Sequence, residues 1–388
     1  MARAIQQTTD GGFIVAGSSN SIDGDVTGNP GGFSFWVVKL NPEGDIEWQR
    51  SLGGPGNDFA SSIQQTKDGG FIVAGYSANQ NYDDSGWVHS DWVVKLDSNG
   101  EIEWERTYGG IKSTGISDIR QTKDGGFIFA GTIYFVDEDV IKKRGESSCW
   151  VVKLNSIGEI EWERVLGGSG RDSGRAVRQT KDGNFIVAAN TTSSDGDVTL
   201  NRGKNDFWVI KLDTKGGTIW QRTFGGSDDD RAADIQQTTD GGYIVVGSTS
   251  SNDGDVYGRS GFLSYWIIRL DVDGHLIWQR ALGQGVSVAS SVQQMKNGGY
   301  IIAGRCSTGG ASGPRGAGNY WIVRLNTEGD VVWQKFLGGN RFERATSIQQ
   351  TSDGGFIVAG YSSSSGGDVT GNPLGGTSFW IVKLGPER

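Results

Sequence analysis

The segment Ile5–Gly17, IQQTTDGGFIVAG, decides the fold because close variants of it recur along the whole 388-residue chain. The copies are spaced by 56 to 58 residues. They begin at Ile5, Ile63, Ile119, Val177, Ile235, Val292 and Ile348. A fixed period of this length is typical of repeat architectures, in which each unit buries its faces against neighbouring copies.

Two further phrases follow, so the repeat has several apolar parts. Copies of Trp-Val-Val-Lys-Leu, or a close variant, begin at Trp36, Trp92, Trp150, Trp208, Trp266, Trp321 and Trp380. Six of the seven repeats add a third phrase, centred on Trp48, Trp104, Trp162, Trp220, Trp278 and Trp333. These runs have the length of strands, and none shows the apolar spacing of a helix over several turns.

The second repeat divides into four strands, A to D, at residues 60–66, 71–75, 92–96 and 102–106. The turn Asp68-Gly69-Gly70 supplies the positive φ of a tight hairpin between strands A and B. Strand B is apolar on both faces, as a sheet packed between two others requires. Hairpin-connected units at this period predict an all-β fold, a seven-bladed β-propeller with four antiparallel strands per blade.

We expect a single propeller domain over residues 1–388, with blades at about 1–57, 58–113, 114–171, 172–229, 230–286, 287–342 and 343–388. The seventh repeat has no counterpart of strand D, so its sheet is predicted to have three strands. No earlier strand replaces it, and we expect the first and last blades to close the ring by packing, without strand exchange. An unpaired strand edge also invites pairing with another molecule, which makes self-association an alternative.

The C–D hairpin has a constant turn length, which suggests a register. If Leu40 pairs with Ile46, Trp36 lies opposite Arg50, and equivalent Trp–Arg or Trp–Lys pairs arise in the other complete repeats. Such a cation over an indole contributes about 0.5–1 kcal/mol where exposed. The same register places Lys39 opposite Glu47. We interpret these pairs as structural.

The segment Asp240-Gly241-Gly242-Tyr243-Ile244-Val245-Val246-Gly247 and its six counterparts also carry a family resemblance. Together with Trp-Val-Val-Lys-Leu-Asp and the Gly-x-Ile-x-Trp and Gly-Gly that follow, they resemble a largely uncharacterised repeat family of secreted bacterial and archaeal β-propeller proteins. The resemblance covers nearly the whole chain. It implies a propeller and an extracellular or cell-surface location, and it implies no activity.

The charge of the chain excludes some partners. Against 36 basic residues stand 45 acidic ones, for a net charge of −9, whereas nucleic acids and anionic membranes require a basic surface. No apolar run is long enough for a transmembrane helix, so we expect no membrane insertion, and no signal peptide is recognisable. Cys149 and Cys306 are predicted to be free, partly buried thiols.

The B–C and D–A loops share one face of the predicted ring, and we take this loop face as the candidate binding surface. Asp-Gly-Asp-Val patterns in its B–C loops suggest Ca²⁺ ligands, because this cation takes six to eight oxygens. The candidate ligands are Asp23, Asp25, Asp195, Asp197, Asp253, Asp255 and Asp368, to which the D–A loops add Asp58, Asp172, Asp230 and Glu343. The alternative is that these carboxylates shape turns and cap backbone N–H groups.

The second repeat breaks the pattern of its B–C loop with Tyr82, Asp83, Asp84, Trp87 and His89. An exposed aromatic ring beside carboxylates would suit stacking on a sugar. The alternative is that Trp87 packs beneath its own loop.

The innermost strands carry paired polar residues, of which Gln6 and Gln7 are the first. Their amides either line an axial site for a small polar ligand or bridge neighbouring blades, and we favour bridging.

Near-identical repeats favour a non-catalytic binding or scaffold module with a protein or glycan partner on the loop face. A carbohydrate-binding propeller is one alternative, although strand alternation places most Trp residues against the adjacent blade. A glycan-cleaving enzyme with paired carboxylates is another. The chain has only two histidines, His89 and His275, in unrelated contexts, which argues against a Ser-His-Asp site or a His-ligated metal.

Overall fold

A computed structural model describes residues 1–54, 56–78, 89–109, 114–135, 144–307, 318–372 and 376–386. The chain is all-β, and its strands are grouped in seven antiparallel sheets. The first three sheets comprise β1 (Ala2–Gln7), β2 (Phe13–Ser19), β3 (Ser34–Leu40), β4 (Ile46–Leu52); β5 (Asn57–Gln65), β6 (Phe71–Ala78), β7 (His89–Leu96), β8 (Ile102–Tyr108); β9 (Thr114–Gln121), β10 (Phe127–Tyr134), β11 (Ser147–Leu154) and β12 (Ile160–Leu166).

The remaining sheets repeat this order. They comprise β13 (Asp172–Gln179), β14 (Phe185–Thr191), β15 (Asp206–Leu212), β16 (Thr218–Phe224); β17 (Asp230–Gln237), β18 (Tyr243–Thr249), β19 (Ser264–Leu270), β20 (Leu276–Leu282); β21 (Val286–Gln294), β22 (Tyr300–Ser307), β23 (Asn319–Leu325), β24 (Val331–Leu337); β25 (Glu343–Gln350), β26 (Phe356–Ser362) and β27 (Ser378–Leu384). Six sheets have four strands and the last has three.

The seven sheets form a closed ring. In each sheet the strands follow one another in chain order, and the first strand of every sheet contacts the first strand of the sheets on either side. The contacts run from β1 through β5, β9, β13, β17, β21 and β25 back to β1. The predicted seven-bladed β-propeller is therefore confirmed, with strand A innermost and strand D at the rim.

The ring closes by packing between the first and last blades, as predicted. The ring of Trp36 lies 4.5 Å from that of Phe379. The backbone N–H of Gln7 donates to Oε1 of Gln349 at 2.6 Å, and that of Ser352 donates back to Oε1 of Gln7 at 2.8 Å. Apolar and polar contacts of the kind found between the other blades thus join β1 to the three-stranded sheet.

The core consists of one apolar layer between each pair of blades. Strand B is buried on both faces, for example over Phe71–Ala74. The half-buried Trp48 of strand D packs edge-on against Phe71 of the next blade, with the ring centroids 5.6 Å apart, and equivalent pairs join the following blades. Both cysteines are buried free thiols.

The predicted register of the C–D hairpin was wrong. Leu40 does pair with Ile46, but a bulge follows, so that Trp36 lies opposite Ser51 and Lys39 opposite Trp48. The same shift occurs in the other five C–D hairpins. A bulge inserts one residue into one strand, and the constant turn length gave no sign of it.

The bulge changes the partners of the side chains that recur in each repeat. Arg50 lies over Trp48 of its own strand, 5.6 Å from the ring centroid, rather than over Trp36. Lys39 still reaches Glu47, with Nζ to Oε2 at 2.8 Å, and also contacts Asp10 of the A–B turn at 2.9 Å. The predicted Lys–Glu contact is present, whereas the predicted Trp36–Arg50 pair is absent.

Candidate functional site

The loop face is organised by hydrogen bonds between loops. In the fourth blade, Asp197 Oδ2 accepts from the backbone N–H of Gly167 at 3.0 Å, and Asp195 Oδ1 accepts from Ser169 at 2.7 Å. Gly167 and Ser169 belong to the D–A connection, whereas the aspartates belong to the B–C loop. The two carboxylates therefore hold the two loops together.

The same arrangement recurs in other blades. Asp255 accepts from Gly225 at 3.2 Å, Asp253 from Ser227 at 2.7 Å, and Asp368 from Gly338 at 3.0 Å. The valine after each Asp-Gly-Asp or Gly-Asp is buried, as at Val26, Val198, Val256 and Val369. The motif thus combines an apolar anchor with acceptors for backbone N–H groups. These contacts support the turn-shaping alternative.

Asp23 and Asp25 of the first blade are exposed to solvent. Throughout the described parts of the chain, no three His, Cys, Asp or Glu side chains come together as a group that could hold a metal ion. The Ca²⁺ hypothesis therefore stays a prediction without a preformed cluster to support it.

Buried acids at the start of strand A fix the D–A connection from within. Asp172 accepts from the backbone N–H of Gly168 at 2.9 Å and from the hydroxyl of Ser193 at 2.8 Å. Glu343 makes the equivalent bond in the seventh blade, where it accepts from the backbone N–H of Gly339 at 3.1 Å. Burial raises the pKa of Asp172 above its usual range, and hydrogen bonds oppose that shift.

Asp206, which the sequence analysis did not name, forms a pair of buried carboxylates with Asp230. A Cβ at Gly225 would lie 2.4 Å from Asp206 Oδ1 and 2.7 Å from Asp230 Oδ2, so both carboxylates flank this glycine. Asp206 Oδ1 is buried and has no hydrogen-bond partner among the described residues. Burial, with a contribution from the charge of Asp230, raises the pKa of Asp206 to about 6. Several other repeats have serine at the position of Asp206, and this departure from the repeat is the sequence signal that could have identified it.

Two layers of glutamine side chains line the axis. The second glutamine of each pair accepts a backbone N–H from the preceding blade, as Gln65 does from Thr9 at 2.9 Å. All seven blades make this bond. The first glutamine accepts from the following blade, as Gln6 does from Gln65 at 2.6 Å, at five of the seven junctions. The favoured interpretation, that these amides bridge blades, is confirmed.

A cavity of about 380 Å³ lies beside these glutamines, at the end of the axis formed by the A–B turns. Its lining is uncharged apart from Lys67 and includes Gln6, Gln64, Gln121 and Gln349. The amide groups already bridge blades, so the cavity is bounded by groups with structural partners.

Arginines replace the first glutamine in the third and fourth blades. Arg178 contacts Asp118 and, at 2.7 Å, Asp234, and Arg120 reaches Asp118 at 3.0 Å. Burial opposes ionisation of Asp118, but Arg120 and Arg178 outweigh it and lower its pKa. Two guanidinium groups and two carboxylates thus balance one another on this side of the axis.

The residues singled out in the second repeat, Tyr82, Asp83, Asp84 and Trp87, lie outside the described parts of the chain. His89 is the first residue of β7. The sugar-stacking hypothesis at this loop therefore stays untested.

Several large apolar side chains are exposed in the B–C loops or at the strand ends beside them. Phe262 is 80% exposed, Ile22 78% and Tyr257 62%, and Leu200 and Tyr134 are about half exposed. Among the described residues, these side chains come from four B–C connections.

The fold and the organised loop face define a seven-bladed β-propeller, and comparisons with solved structures agree. The Neurospora crassa Pan2 WD40 domain matches with a TM-score of 0.51 at 12% identity, over 92% of this chain and 85% of that one. Drosophila Plexin A, solved in complex with Semaphorin 1b, matches with a TM-score of 0.51 at 7% identity, over 99% and 85%. BBS1N, solved in complex with ARL6DN, matches with a TM-score of 0.50 at 10% identity, over 98% and 89%.

At these identities the likeness shows the fold alone. No protein-family model and no curated protein matches the sequence.

Proposed function

We propose that this chain is a non-catalytic binding or scaffold propeller whose loop face docks a protein partner. The observation that carries the proposal is the exposure of Phe262 and Tyr257 on a B–C loop that Asp253 and Asp255 tie to the neighbouring D–A connection. Both side chains belong to the same loop, between β18 and β19, and contiguous exposed apolar patches with a polar rim are typical of protein interaction sites. Aromatic residues are also enriched at the centres of such interfaces.

The surrounding chemistry supports a structural role for the carboxylates of this face. Asp195, Asp197 and Asp253 accept backbone N–H groups, and Asp172 and Asp230 hold the D–A connections. Strand C tryptophans such as Trp208 are buried, and strand D tryptophans pack on the next blade. These carboxylates and tryptophans stabilise the blades and the bases of the loops. The exposed tips of the B–C loops therefore remain as the binding elements.

Two of the matched propellers were solved in complex with a protein, Plexin A with Semaphorin 1b and BBS1N with ARL6DN, and this use of the fold supports a protein partner here. The resemblance of the repeats to a secreted family leads us to propose a cell-surface or secreted location. Neither proposal requires a basic surface, in keeping with the net charge of −9.

Site-specific photo-crosslinking tests the docking surface. A photoreactive phenylalanine analogue at position 262 is expected to crosslink a distinct protein from the source organism, and the variant Tyr257→Ser should reduce that crosslink. The matched control places the analogue at Ile219, which is 49% exposed on strand β16 at the rim. Equal crosslinking from positions 262 and 219 would contradict the proposal, as would binding to a glycan array in place of a protein.

A further inference from the structure

The outer edge of β27 differs from that of every other strand C. In six sheets strand C pairs with a strand D, whereas β27 pairs only with β26 among the described residues. Its counterpart β19 is buried along its whole length, but β27 leaves Phe379, Ile381 and Val382 partly exposed. The edge therefore offers an unused backbone ladder together with apolar side chains that no strand covers.

Trp380 shows which side chain this edge would receive. In the six complete blades the equivalent indole N–H donates to a Gln or Glu of strand D, as that of Trp266 does to Gln279 at 2.8 Å. Trp380 is only 8% exposed, and its indole N–H has no acceptor among the described residues. A fourth strand with Gln or Glu at this place would supply that acceptor.

The seventh and first blades pack as other neighbouring blades do. The ring centroids of Phe379 and Trp36 are 4.5 Å apart, against 4.6 Å for Phe207 and Trp266 of the fourth and fifth blades. A fourth strand on β27 would therefore lie against the first blade as strand D of each complete blade lies against the next one.

The B–C loop of the first blade already has the form that holds the segment after strand D. In the fourth blade a Cβ at Gly196 would lie 2.5 Å from the carbonyl oxygen of Gly167, to which Asp197 donates its backbone N–H at 3.0 Å. Gly24 is the equivalent residue of the first blade, and its φ of 66° matches the 64° of Gly196. No described atom beyond its chain neighbours lies within 4 Å of a Cβ at Gly24. The loop thus has its contact geometry without the contact.

The C–D turn of the first blade has room for a tryptophan. A Cβ at Gly100 would lie 2.8 Å from the ring of Trp48, which belongs to strand D of the preceding blade. At Gly44, the equivalent residue of the first blade, no described atom beyond the chain neighbours lies within 4 Å. The approach of a strand D tryptophan recurs at four other C–D turns, at Gly158, Gly216, Gly274 and Gly329.

The next residue of the same turn adds a negative charge. Arg50 of strand D pairs with Glu101 of the following blade at 2.6 Å, and Arg280 pairs with Asp330 at 3.1 Å. Asp45 holds this position in the first blade, where it is exposed and has no ion pair among the described residues. Its carboxylate favours a strand with Arg two positions after the tryptophan.

We propose that β27, the loop at Gly24 and the turn at Gly44 form an edge site that binds an extended strand of a partner polypeptide. The complete blades define the pattern of that strand as Ile-x-Trp-Gln/Glu-Arg-x-Leu-Gly-Gly, the sequence type of residues 46–54. In such strand addition the main chain supplies affinity and the side chains supply specificity. A second copy of this chain does not fit, because its strands of this pattern are paired within its own blades. The edge site goes beyond the docking proposed above and does not include the loop of Phe262.

A labelled peptide with the sequence of residues 46–54 tests the edge site by fluorescence anisotropy with the intact chain. We expect one peptide to bind per chain, and a Trp48→Ala peptide to bind about tenfold more weakly because it lacks the ring for the turn at Gly44. Asp45→Lys in the chain should weaken binding about fivefold. The matched control is Glu159→Lys, beside Gly158, where Trp104 already occupies the equivalent place. It should change the affinity by less than about twofold.

Hydrogen exchange locates the bound peptide. It should slow amide exchange along β27 and leave β19, which already has a fourth strand, unchanged. Absence of binding, equal affinities of the two peptides, equal losses in the two variants or protection confined to another strand would each overturn the proposal. A dimer that excludes the peptide would overturn it too, by showing that a second copy occupies the edge. The photo-crosslink from position 262 reports on the docking proposed above, so the two can fail separately.

Discussion

Trp36 on β3 donates its indole N–H to Oε1 of Gln49 on β4, at 2.8 Å. The same bond joins strand C to a glutamine or glutamate of strand D in five further blades, as Trp92–Glu105, Trp150–Glu163, Trp208–Gln221, Trp266–Gln279 and Trp321–Gln334. The outermost strand is thereby held by a partly or fully buried side-chain hydrogen bond as well as by its backbone ladder. This bond exists only because the C–D bulge brings the glutamine rather than the arginine beside the indole.

The substitution Trp266→Phe is expected to lower stability by about 1–3 kcal/mol, because it leaves Oε1 of the buried Gln279 without its donor. Denaturant unfolding measures the loss. Trp380 provides a matched control. It packs on Tyr320 as Trp266 packs on Phe207, but its indole N–H has no acceptor in the described part of the chain. Trp380→Phe should therefore lower the free energy of unfolding by less than Trp266→Phe does. Equal losses in the two variants would contradict a stabilising role for the Trp266–Gln279 hydrogen bond.

Asp206→Asn should raise the melting midpoint above pH 6. The folded-state pKa of Asp206 is about 6, above the ordinary 3.8, so the carboxylate is disfavoured in the fold. For a raised acid the penalty is absent below the unfolded pKa and grows as pH rises through the folded pKa. The gain in the variant should therefore shrink towards pH 4. Asn319 occupies the equivalent place in the sixth blade, which shows that the amide fits there.

Asp195→Asn is the control, because it should change the melting midpoint in the opposite direction to Asp206→Asn. The backbone N–H of Ser169 lowers the pKa of Asp195, so its charge supports the fold above its unfolded pKa. The variant should melt lower than the wild type at pH 7, and the difference should fade as the pH falls. If both variants changed the midpoint in the same direction at pH 7, the assignment of these two carboxylates would be wrong.

Arg178→Gln is expected to destabilise the fold by about 3 kcal/mol, because it removes a partner of two largely buried carboxylates. The second blade suggests the rescue, since it combines Ser62 with Gln64 at the same positions. Adding Arg120→Gln, Asp118→Ser and Asp234→Ser restores that uncharged pattern and should recover most of the lost stability. A quadruple variant no more stable than Arg178→Gln would show that the charges are needed in themselves.

Melting with and without Ca²⁺ tests the remaining metal hypothesis. Because Asp195, Asp197 and Asp253 already accept backbone N–H groups, we expect the same midpoint in EDTA and in about 1 mM Ca²⁺, a concentration suited to extracellular modules. A cation that bound the folded state with a Kd of about 10 μM would add about 2.7 kcal/mol at that concentration. A clear rise in the midpoint would restore Asp23 and Asp25 and their counterparts as candidate ligands.

The fold could be predicted from the sequence because the same pattern of strand-length apolar runs and turns occurs seven times. Asp68-Gly69-Gly70 marks one hairpin, and the buried run at Phe71–Ala74 marks the strand between two neighbours. The register of Trp36 could not be predicted, since a bulge leaves the apolar pattern and the turn length unchanged. Repetition fixes which elements form, whereas a one-residue shift decides which side chains meet.

The candidate site was less predictable. The aspartates of the B–C loops were found by pattern, but whether Asp197 faces an ion or the N–H of Gly167 depends on how two loops from different parts of the chain meet. Asp206 stands out only as a departure from the repeat, and its approach to Asp230 depends on how two blades meet around Gly225. Long-range assembly, rather than local pattern, creates both features.

The closed ring is the claim on which every site depends, and a distance between its two ends tests it most directly. Thr9, Lys67 and Ser352 are exposed residues of the A–B turns in the first, second and seventh blades, and the buried Cys149 and Cys306 should resist labelling. Spin labels on Thr9→Cys/Ser352→Cys should show the same distance distribution as on Thr9→Cys/Lys67→Cys, because the first blade touches the second and the seventh alike. A much longer separation between positions 9 and 352 would mean an open array and would contradict the propeller.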